Sequence, residues 1–315
     1  MKYQYEVNFN HESGEWYVQR LVHMSLPEYI GSYETEESAK QDCEKLNSNT
    51  TRERRRSERM KRPILRYFGG KYILAPWIIE HFPKHKVYVE PYGGAASVLM
   101  QKPRAYAEVW NDLDDSVFSL FQVLRTFEGS MDLKSVLEMT PYSRREFELA
   151  HVFHPDPVEN ARRLIIRSFM GFGADSVTNI NSKTGFRRNS NRSGTTPAHD
   201  WLNYPKALTD FTERLKGVII ENKNALEVMG DHDSDNTLHY IDPPYPTDIR
   251  KGGRYKHEMT LAEHIELRDF VKTLKGSVVI SGYDHEIYNE LDWRKVTKNA
   301  YADGAAKRVE CLWIK

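Results

Sequence analysis

Leu238-His239-Tyr240-Ile241 is an apolar run that ends in Asp242-Pro243-Pro244-Tyr245. An apolar run closed by an acid reads as a buried strand that delivers the acid to its carboxyl end, the edge at which open α/β sheets bind ligands. The two prolines lack N–H groups and have fixed φ, so they stop the ladder and stiffen the rim. Pro243 also biases Asp242 towards extended backbone. The result is one carboxylate, one free carbonyl and one aromatic face. That set suits a planar base with an exocyclic amine: carboxylate and carbonyl accept the two amine hydrogens and the tyrosine stacks on the ring. An ordinary strand-to-loop exit is the plainer reading. At about 5% per residue the tetrapeptide arises by chance in on the order of 0.002 of chains this long, so its surroundings decide.

From residue 63 onward, strands and helices alternate. Val87-Tyr88-Val89, Ala105 to Trp110, Val218-Ile219-Ile220, Leu238 to Ile241 and Ser277 to Ser281 read as strands. Ala95 to Gln101, Asp114 to Phe127 and Leu261 to Leu274 read as helices, the second with Val117, Leu120, Phe121 and Leu124 on one face. This alternation predicts an α/β fold with a mostly parallel, doubly wound sheet. Trp293 to Val296 and Val309 to Ile314 would close it as an antiparallel edge. Residues 128–210 break the rhythm with helices and a Gly/Asn/Ser/Arg-rich loop, and read as an insertion into a catalytic domain made of 63–127 and 211–315.

Residues 1–50 are a separate small accessory unit. Tyr3, Tyr5, Val7 and Phe9 alternate with polar neighbours, a Ser-Gly turn follows, and Trp16 to Val22 alternate again, which is a hairpin. Thr35 opens a helix with Ala39, Cys43 and Leu46 on one face, giving a β-β-α unit. A basic linker, residues 51–62, joins the two parts.

Net charge is zero, with 45 Lys+Arg against 45 Asp+Glu, so global charge does not announce a polyanion. Local charge is uneven. Residues 51–62 carry seven basic and two acidic residues, and residues 160–195 carry seven basic and one. Such blocks suit a phosphate backbone, although each alone is equally a solvated face. Two distant cysteines, Cys43 and Cys311, point to a reducing compartment and no zinc site. With no signal peptide and no membrane-length apolar run, the chain reads as soluble and cytoplasmic, with no membrane partner.

Glu90-Pro91-Tyr92-Gly93-Gly94-Ala95-Ala96-Ser97-Val98 follows the first strand of the alternating region. Its small residues let a ligand approach the backbone, as does any tight strand-to-helix packing. It is neither a dinucleotide fingerprint nor a phosphate loop, so a dehydrogenase is excluded. The next strand ends at Asn111-Asp112. An acid about 20 residues beyond a glycine-rich first turn is positioned to accept ribose hydroxyls, with a helix cap, for which Asp114 also qualifies, as the alternative. Together these describe a nucleoside cofactor beside an amine acceptor.

With these motifs in this order the chain resembles the S-adenosylmethionine-dependent adenine-N6 DNA methyltransferases of the Dam-like type (D12 class, alpha group), from about Pro63 to Lys315. The resemblance implies a Rossmann-like methyltransferase sheet with a mostly helical DNA-recognition insertion. It makes Pro63 to Lys71 the opening motif, with Tyr67, Phe68, Gly69, Gly70 and Lys71 at the cofactor. Glu90, Pro91, Tyr92 and Gly94 form the cofactor loop and Asp112 the ribose acid. Asp242, Pro243, Pro244 and Tyr245 form the catalytic motif, with Asp242 also near the cofactor. Val278 to Ser281 and Arg308 to Trp313 match later core strands. The implied cofactor is S-adenosylmethionine, released as S-adenosylhomocysteine, with no metal. The implied partner is double-stranded DNA, bound by a monomer or weak dimer. Tyr245 would stack on a flipped adenine.

The chain departs from the family pattern at Ala96, where a second loop glycine is usual, and at Asn224-Ala225, where an acid and an aromatic are common. Asn224 is assigned to the cofactor's adenine. Arg66, Lys183, Arg187, Arg188 and Arg192, with Arg250, Lys251 and Arg254 after the catalytic motif, are the candidate DNA contacts, of types that read base edges or hold phosphates. Cytosine N4, RNA adenine, or a non-catalytic DNA-binding protein remain the competing readings.

Overall fold

A computed structural model describes residues 3–10, 13, 15–22, 28–44, 62–173, 177, 184–190, 195–249, 255–301 and 307–315. The chain divides into two compact units, Met1–Met60 and Lys61–Lys315.

In the first unit, β1 (Tyr3–Asn10) pairs antiparallel with β2 (Glu15–Val22), as the alternation predicts. A third strand, β3 (Glu28–Tyr33), pairs with the far edge of β2, with a register shift at Val18/Gln19. The unit therefore has one strand more than the expected β-β-α. Gly31 interrupts the apolar alternation of β3, so periodicity alone does not reveal it. A helical stretch at 36–44 buries Ala39 and Cys43 against Val18, and the Thr35 hydroxyl accepts the Ser38 N–H at 3.3 Å. Leu46 lies outside the described residues.

The second unit is built on seven strands: β4 (Val87–Glu90), β5 (Ala107–Asn111), β6 (Val218–Glu221), β7 (Thr237–Ile241), β8 (Ser277–Tyr283), β9 (Arg294–Tyr301) and β10 (Lys307–Ile314). Their order is β6-β5-β4-β7-β8-β10-β9. The first five run parallel, and β10 pairs antiparallel with both β8 and β9. The closing hairpin is as expected, with β9 longer than the sequence suggests. Every residue of β7 is buried, because a central parallel strand is covered on both faces.

The chain runs outward from β4 through β5 to β6 and then returns to the other side of β4 at β7. The sheet's switch point thus lies between β4 and β7. Their carboxyl ends carry Glu90 and Asp242, so topology alone brings the two motifs to one crevice.

Among the described residues ten α-helices follow the first unit: α1 (Ala75–Glu80), α2 (Asp115–Leu124), α3 (Phe127–Glu138), α4 (Arg144–Leu149), α5 (Pro157–Met170), α6 (Pro197–Leu202), α7 (Leu208–Leu215), α8 (Ala225–Asp231), α9 (Leu261–Thr273) and α10 (Glu286–Asn289). The insertion is mostly helical where described, with α5 at its centre, buried from Leu164 to Met170, and Gly171 forms an antiparallel bridge with Phe186. Within the insertion Trp201 donates to the Thr140 carbonyl at 2.8 Å, and Tyr204 donates to the Ile64 carbonyl at 2.7 Å, tying the insertion back to the opening motif.

Residues 95–101 form consecutive turns and not the expected helix. Gly94 (φ 46) and Ala96 (φ 50) adopt left-handed backbone, which an α-helix cannot contain. The Leu99 N–H also bonds the Glu90 carboxylate at 3.0 Å. Among the described residues no helix is long and apolar enough to cross a membrane.

Candidate active site

A cavity of about 300 Å³ opens at the switch point. All twelve residues expected at the cofactor line it: Tyr67, Phe68, Gly69, Gly70, Lys71, Glu90, Pro91, Tyr92, Gly94, Asp112, Asn224 and Asp242. They come from sequence positions spread over more than 170 residues, and the sheet gathers them.

The glycine turn is shaped by close contacts. A Cβ on Gly93 would fall 2.0 Å from the indole Nε1 of Trp110, which is buried and stacked on Phe121 at 4.2 Å. The Gly94 N–H donates to Asp112 Oδ2 at 2.7 Å, and the Asp114 N–H to Asp112 Oδ1 at 2.8 Å. Burial pushes the Asp112 carboxyl up to about 6. Asp114 caps α2 through the Ser116 N–H at 2.9 Å, so cap and candidate ribose acid are different residues. Burial pushes the Glu90 carboxyl up to about 8; its Oε2 accepts both the Tyr88 hydroxyl at 2.9 Å and the Leu99 N–H.

At the end of β7, Asp242 uses one oxygen for the protein. Its Oδ1 lies 2.9 Å from Lys71 Nζ and accepts the Ser281 hydroxyl at 2.8 Å, with the Tyr245 hydroxyl at 3.3 Å. No donor among the described residues reaches Oδ2, and the side chain retains 17% exposure into the cavity. Burial opposes charge on Lys71, but Asp242 and Glu310 outweigh it and hold the ammonium above its ordinary pKa. Pro244 lines the cavity, whereas Pro243 and Tyr245 are buried behind it.

The model of the D12 class N6 adenine-specific DNA methyltransferases matches residues 67–310. The chain belongs to that family. Its relatives include the DNA adenine methylase of Haemophilus influenzae, 25% identical over 273 residues that cover 79% of this chain and 91% of that protein. The DNA adenine methylase of Salmonella typhi is 24% identical over 250 residues, covering 75% and 85%. The protein is an adenine-specific DNA methyltransferase.

Both departures from the family pattern have a structural outcome in this methyltransferase. Ala96 takes φ 50 while fully buried, so the turn keeps the geometry that favours glycine and accommodates the methyl. Asn224 lines the cavity, but its side chain caps α8 through the Leu226 N–H at 2.8 Å.

Tyr245 is only 6% exposed. Lys71 Nζ lies 4.6 Å from its ring centroid and Tyr283 packs edge-on at 4.8 Å. In this arrangement Tyr245 is a hydrogen-bond partner, and stacking on a base requires the ring to leave this position.

The candidate DNA contacts divide. Arg188 is exposed and Arg187 half-buried, with its carbonyl accepting the Tyr142 hydroxyl at 2.6 Å. Arg66, also half-buried, is near enough to Tyr142 to act on it electrostatically. The fold therefore brings the opening motif and the insertion together at Tyr142. Lys183, Arg192, Arg250, Lys251 and Arg254 lie outside the described residues.

Sequence reasoning missed the wall formed by residues 255–259. The Tyr255 hydroxyl occupies the space 2.0 Å from where a Gly69 Cβ would stand, its ring meets Phe68 edge-on at 5.1 Å, and Lys256 Nζ lies 3.0 Å from Asp114 Oδ1. It carries no periodic signal. The other missed residue is Glu310, on β10.

Proposed function

We propose that the cavity binds S-adenosylmethionine and that Asp242 and the Pro243 carbonyl accept the two N6 hydrogens of an adenine flipped out of duplex DNA. The donor set supports the fit. Glu90, Asp112, Asp114, Asp242, Glu263 and Glu266 line the cavity against two ammonium groups, Lys71 and Lys256, both paired to carboxylates, which suits a ligand with cationic groups. When bound, S-adenosylmethionine supplies an activated methyl on a sulfonium and leaves as S-adenosylhomocysteine. Asp112 and the Gly94 turn would hold the ribose, and Tyr67 to Lys71 the methionine end.

The observation that carries this reading is the division of labour at Asp242. Lys71 and Ser281 hold Oδ1, so the carboxylate cannot rotate freely, and Oδ2 is left for the substrate. An amine held by two fixed acceptors aims its nitrogen lone pair at the methyl, so catalysis is chiefly positioning and electrostatics. Ejecting the base costs a few kcal/mol of stacking.

In this reading residues 128–210 recognise the target. Arg66, Arg187 and Arg188, with Lys183, Arg192, Arg250, Lys251 and Arg254, contact DNA. Residues 51–62 add salt-sensitive affinity, and the enzyme works in the cytoplasm as a monomer or weak dimer. The test is incubation with labelled S-adenosylmethionine and unmethylated DNA, then mass spectrometry of the nucleosides. N6-methyladenine is expected, reduced at least about 100-fold by Asp242→Ala. N4-methylcytosine would overturn the acceptor, and unchanged turnover in Asp242→Ala would overturn the role of Asp242.

A further inference from the structure

We propose that Glu310 is a positioning residue for methyl transfer: from the closing strand β10 it anchors the Lys71 ammonium and the Tyr245 hydroxyl, and so keeps one oxygen of Asp242 open to the substrate. This rests on the role of Asp242 proposed above.

Glu310 is 3% exposed and lies behind the cavity wall. Its Oε1 accepts the Tyr245 hydroxyl and sits 3.6 Å from Lys71 Nζ. The same two donors meet Asp242 Oδ1, at 3.3 and 2.9 Å. Two carboxylates 68 positions apart in sequence therefore share one tyrosine and one lysine. A phenol has a single proton, and it goes to the nearer acceptor, Glu310. Lys71 has three, divided among Asp242, Glu310 and the Gly69 carbonyl at 2.8 Å.

The arrangement explains why Asp242 Oδ2 stays open. Without Glu310, Asp242 would be the one carboxylate left to both donors. The ammonium would then be free to bridge both Asp242 oxygens, and the phenol would turn to Asp242 as well. The oxygen kept for the substrate amine would be taken by the protein.

Packing alone does not call for an acid here. A buried carboxylate is costly unless paired, and an apolar side chain would fill the same space. The groups facing Glu310 are Lys71, Tyr245 and Asp242, then Tyr240 from β7, Tyr283 from β8 and Lys298 from β9. Lys298 sits over the Trp77 ring at 5.5 Å, which leaves Lys71 as the cation held against Glu310. Burial pushes the Glu310 carboxyl up and Lys71 draws it back.

The experiment is single-turnover methylation by the full-length enzyme, with cofactor and DNA affinities measured in parallel, for Glu310→Gln, Tyr245→Phe and Asp242→Asn. Glu310→Gln should slow transfer about 10- to 100-fold, as a small misplacement does, while both affinities stay within about 3-fold. The loss should fall on the transfer step and not on either affinity, a split that a merely structural role for Glu310 would not give. Tyr245→Phe should reproduce part of the slowing, and the double variant should be no slower than Glu310→Gln alone. A Glu310→Gln rate within about 2-fold of the parent, or a slowing matched by an equal loss of cofactor or DNA affinity, overturns the proposal. If that variant does not fold, an unimpaired Tyr245→Phe overturns it. Asp242→Asn separates the two readings: full activity there sinks the role of Asp242 itself, whereas an inactive Asp242→Asn beside a normal Glu310→Gln sinks only the role of Glu310.

Discussion

The indole Nε1 of Trp110 lies 2.0 Å from the point a Cβ on Gly93 would occupy. Trp110 is fully buried and stacked on Phe121 with an interplanar angle of 4°, so the ring has nowhere to go. Gly93→Ala should cost about 1–3 kcal/mol of stability through overpacking and widen the turn that carries the Gly94 N–H. Urea denaturation and cofactor titration check both effects. A variant as stable as the parent would show that the strand pair can spread.

Ala96 pays for its φ of 50 with strain that glycine would not carry. Ala96→Gly should leave methylation intact and change stability by no more than about 1 kcal/mol, in the stabilising direction. Ala96→Val should destabilise, because a β-branched side chain tolerates that backbone poorly. Thermal melting of the pair decides, and a Val variant that melts no lower than the parent contradicts the assignment.

Glu90 should make both ligand binding and stability depend on pH. Its carboxyl titrates near 4.5 when unfolded and about 8 when folded, raised by burial. The folded state therefore binds more protons between those values, and stability without ligand should fall as pH rises through that window. Cofactor affinity should move the other way. Asp112 ionises around 6 and Glu90 around 8, so a cationic ligand should bind roughly tenfold more tightly at pH 8.5 than at pH 6. Calorimetric titration with S-adenosylmethionine measures this. Glu90→Gln should flatten the upper part of the curve, and a flat parent curve would refute the charge argument.

Glu108 sits between Lys102 Nζ at 2.5 Å and the Arg214 guanidinium, whose two terminal nitrogens lie 2.6 and 3.0 Å from its oxygens. Burial works against the Glu108 charge, but Arg214 and Lys102 hold its pKa below the ordinary range. Glu108→Ala leaves the Lys102 ammonium buried and unpaired, and should cost about 3–5 kcal/mol. The stabilisation from this depressed pKa is present above 4.5 and should be lost as pH falls. Denaturation at pH 7 and below pH 4 tests both; a loss below about 1 kcal/mol at pH 7 would show that Lys102 finds water.

Removal of residues 1–60 should leave a folded, active methyltransferase, since Lys61–Lys315 packs as its own unit and the family match begins at 67. DNA affinity at low salt should drop by about tenfold and the salt dependence should flatten, because the five basic groups between 51 and 60 and their two acidic neighbours are lost with a net positive balance. Fluorescence anisotropy across a salt series checks it. Unchanged affinity would remove residues 1–60 from DNA binding.

Much of this protein was determined by short-range pattern. Apolar runs of three to six residues announced the parallel strands, and the acid or glycine after each run marked the carboxyl edge at which Glu90, Asp112 and Asp242 meet. Right-handed crossovers then leave few ways to arrange such strands. Other features had no local signature. Strand β3 needs the edge of β2 to exist, and the turns at 95–101 need left-handed backbone that no composition demands. The inward Tyr245 needs Glu310, 65 residues away, and Lys71 needs two carboxylates that are distant in sequence. Periodicity reports what one element buries. Which polar side chains share a proton or a charge beneath the cavity was decided by the tertiary structure alone, because buried carboxylates, phenols and ammonium groups are stable only where the fold supplies all their partners at once.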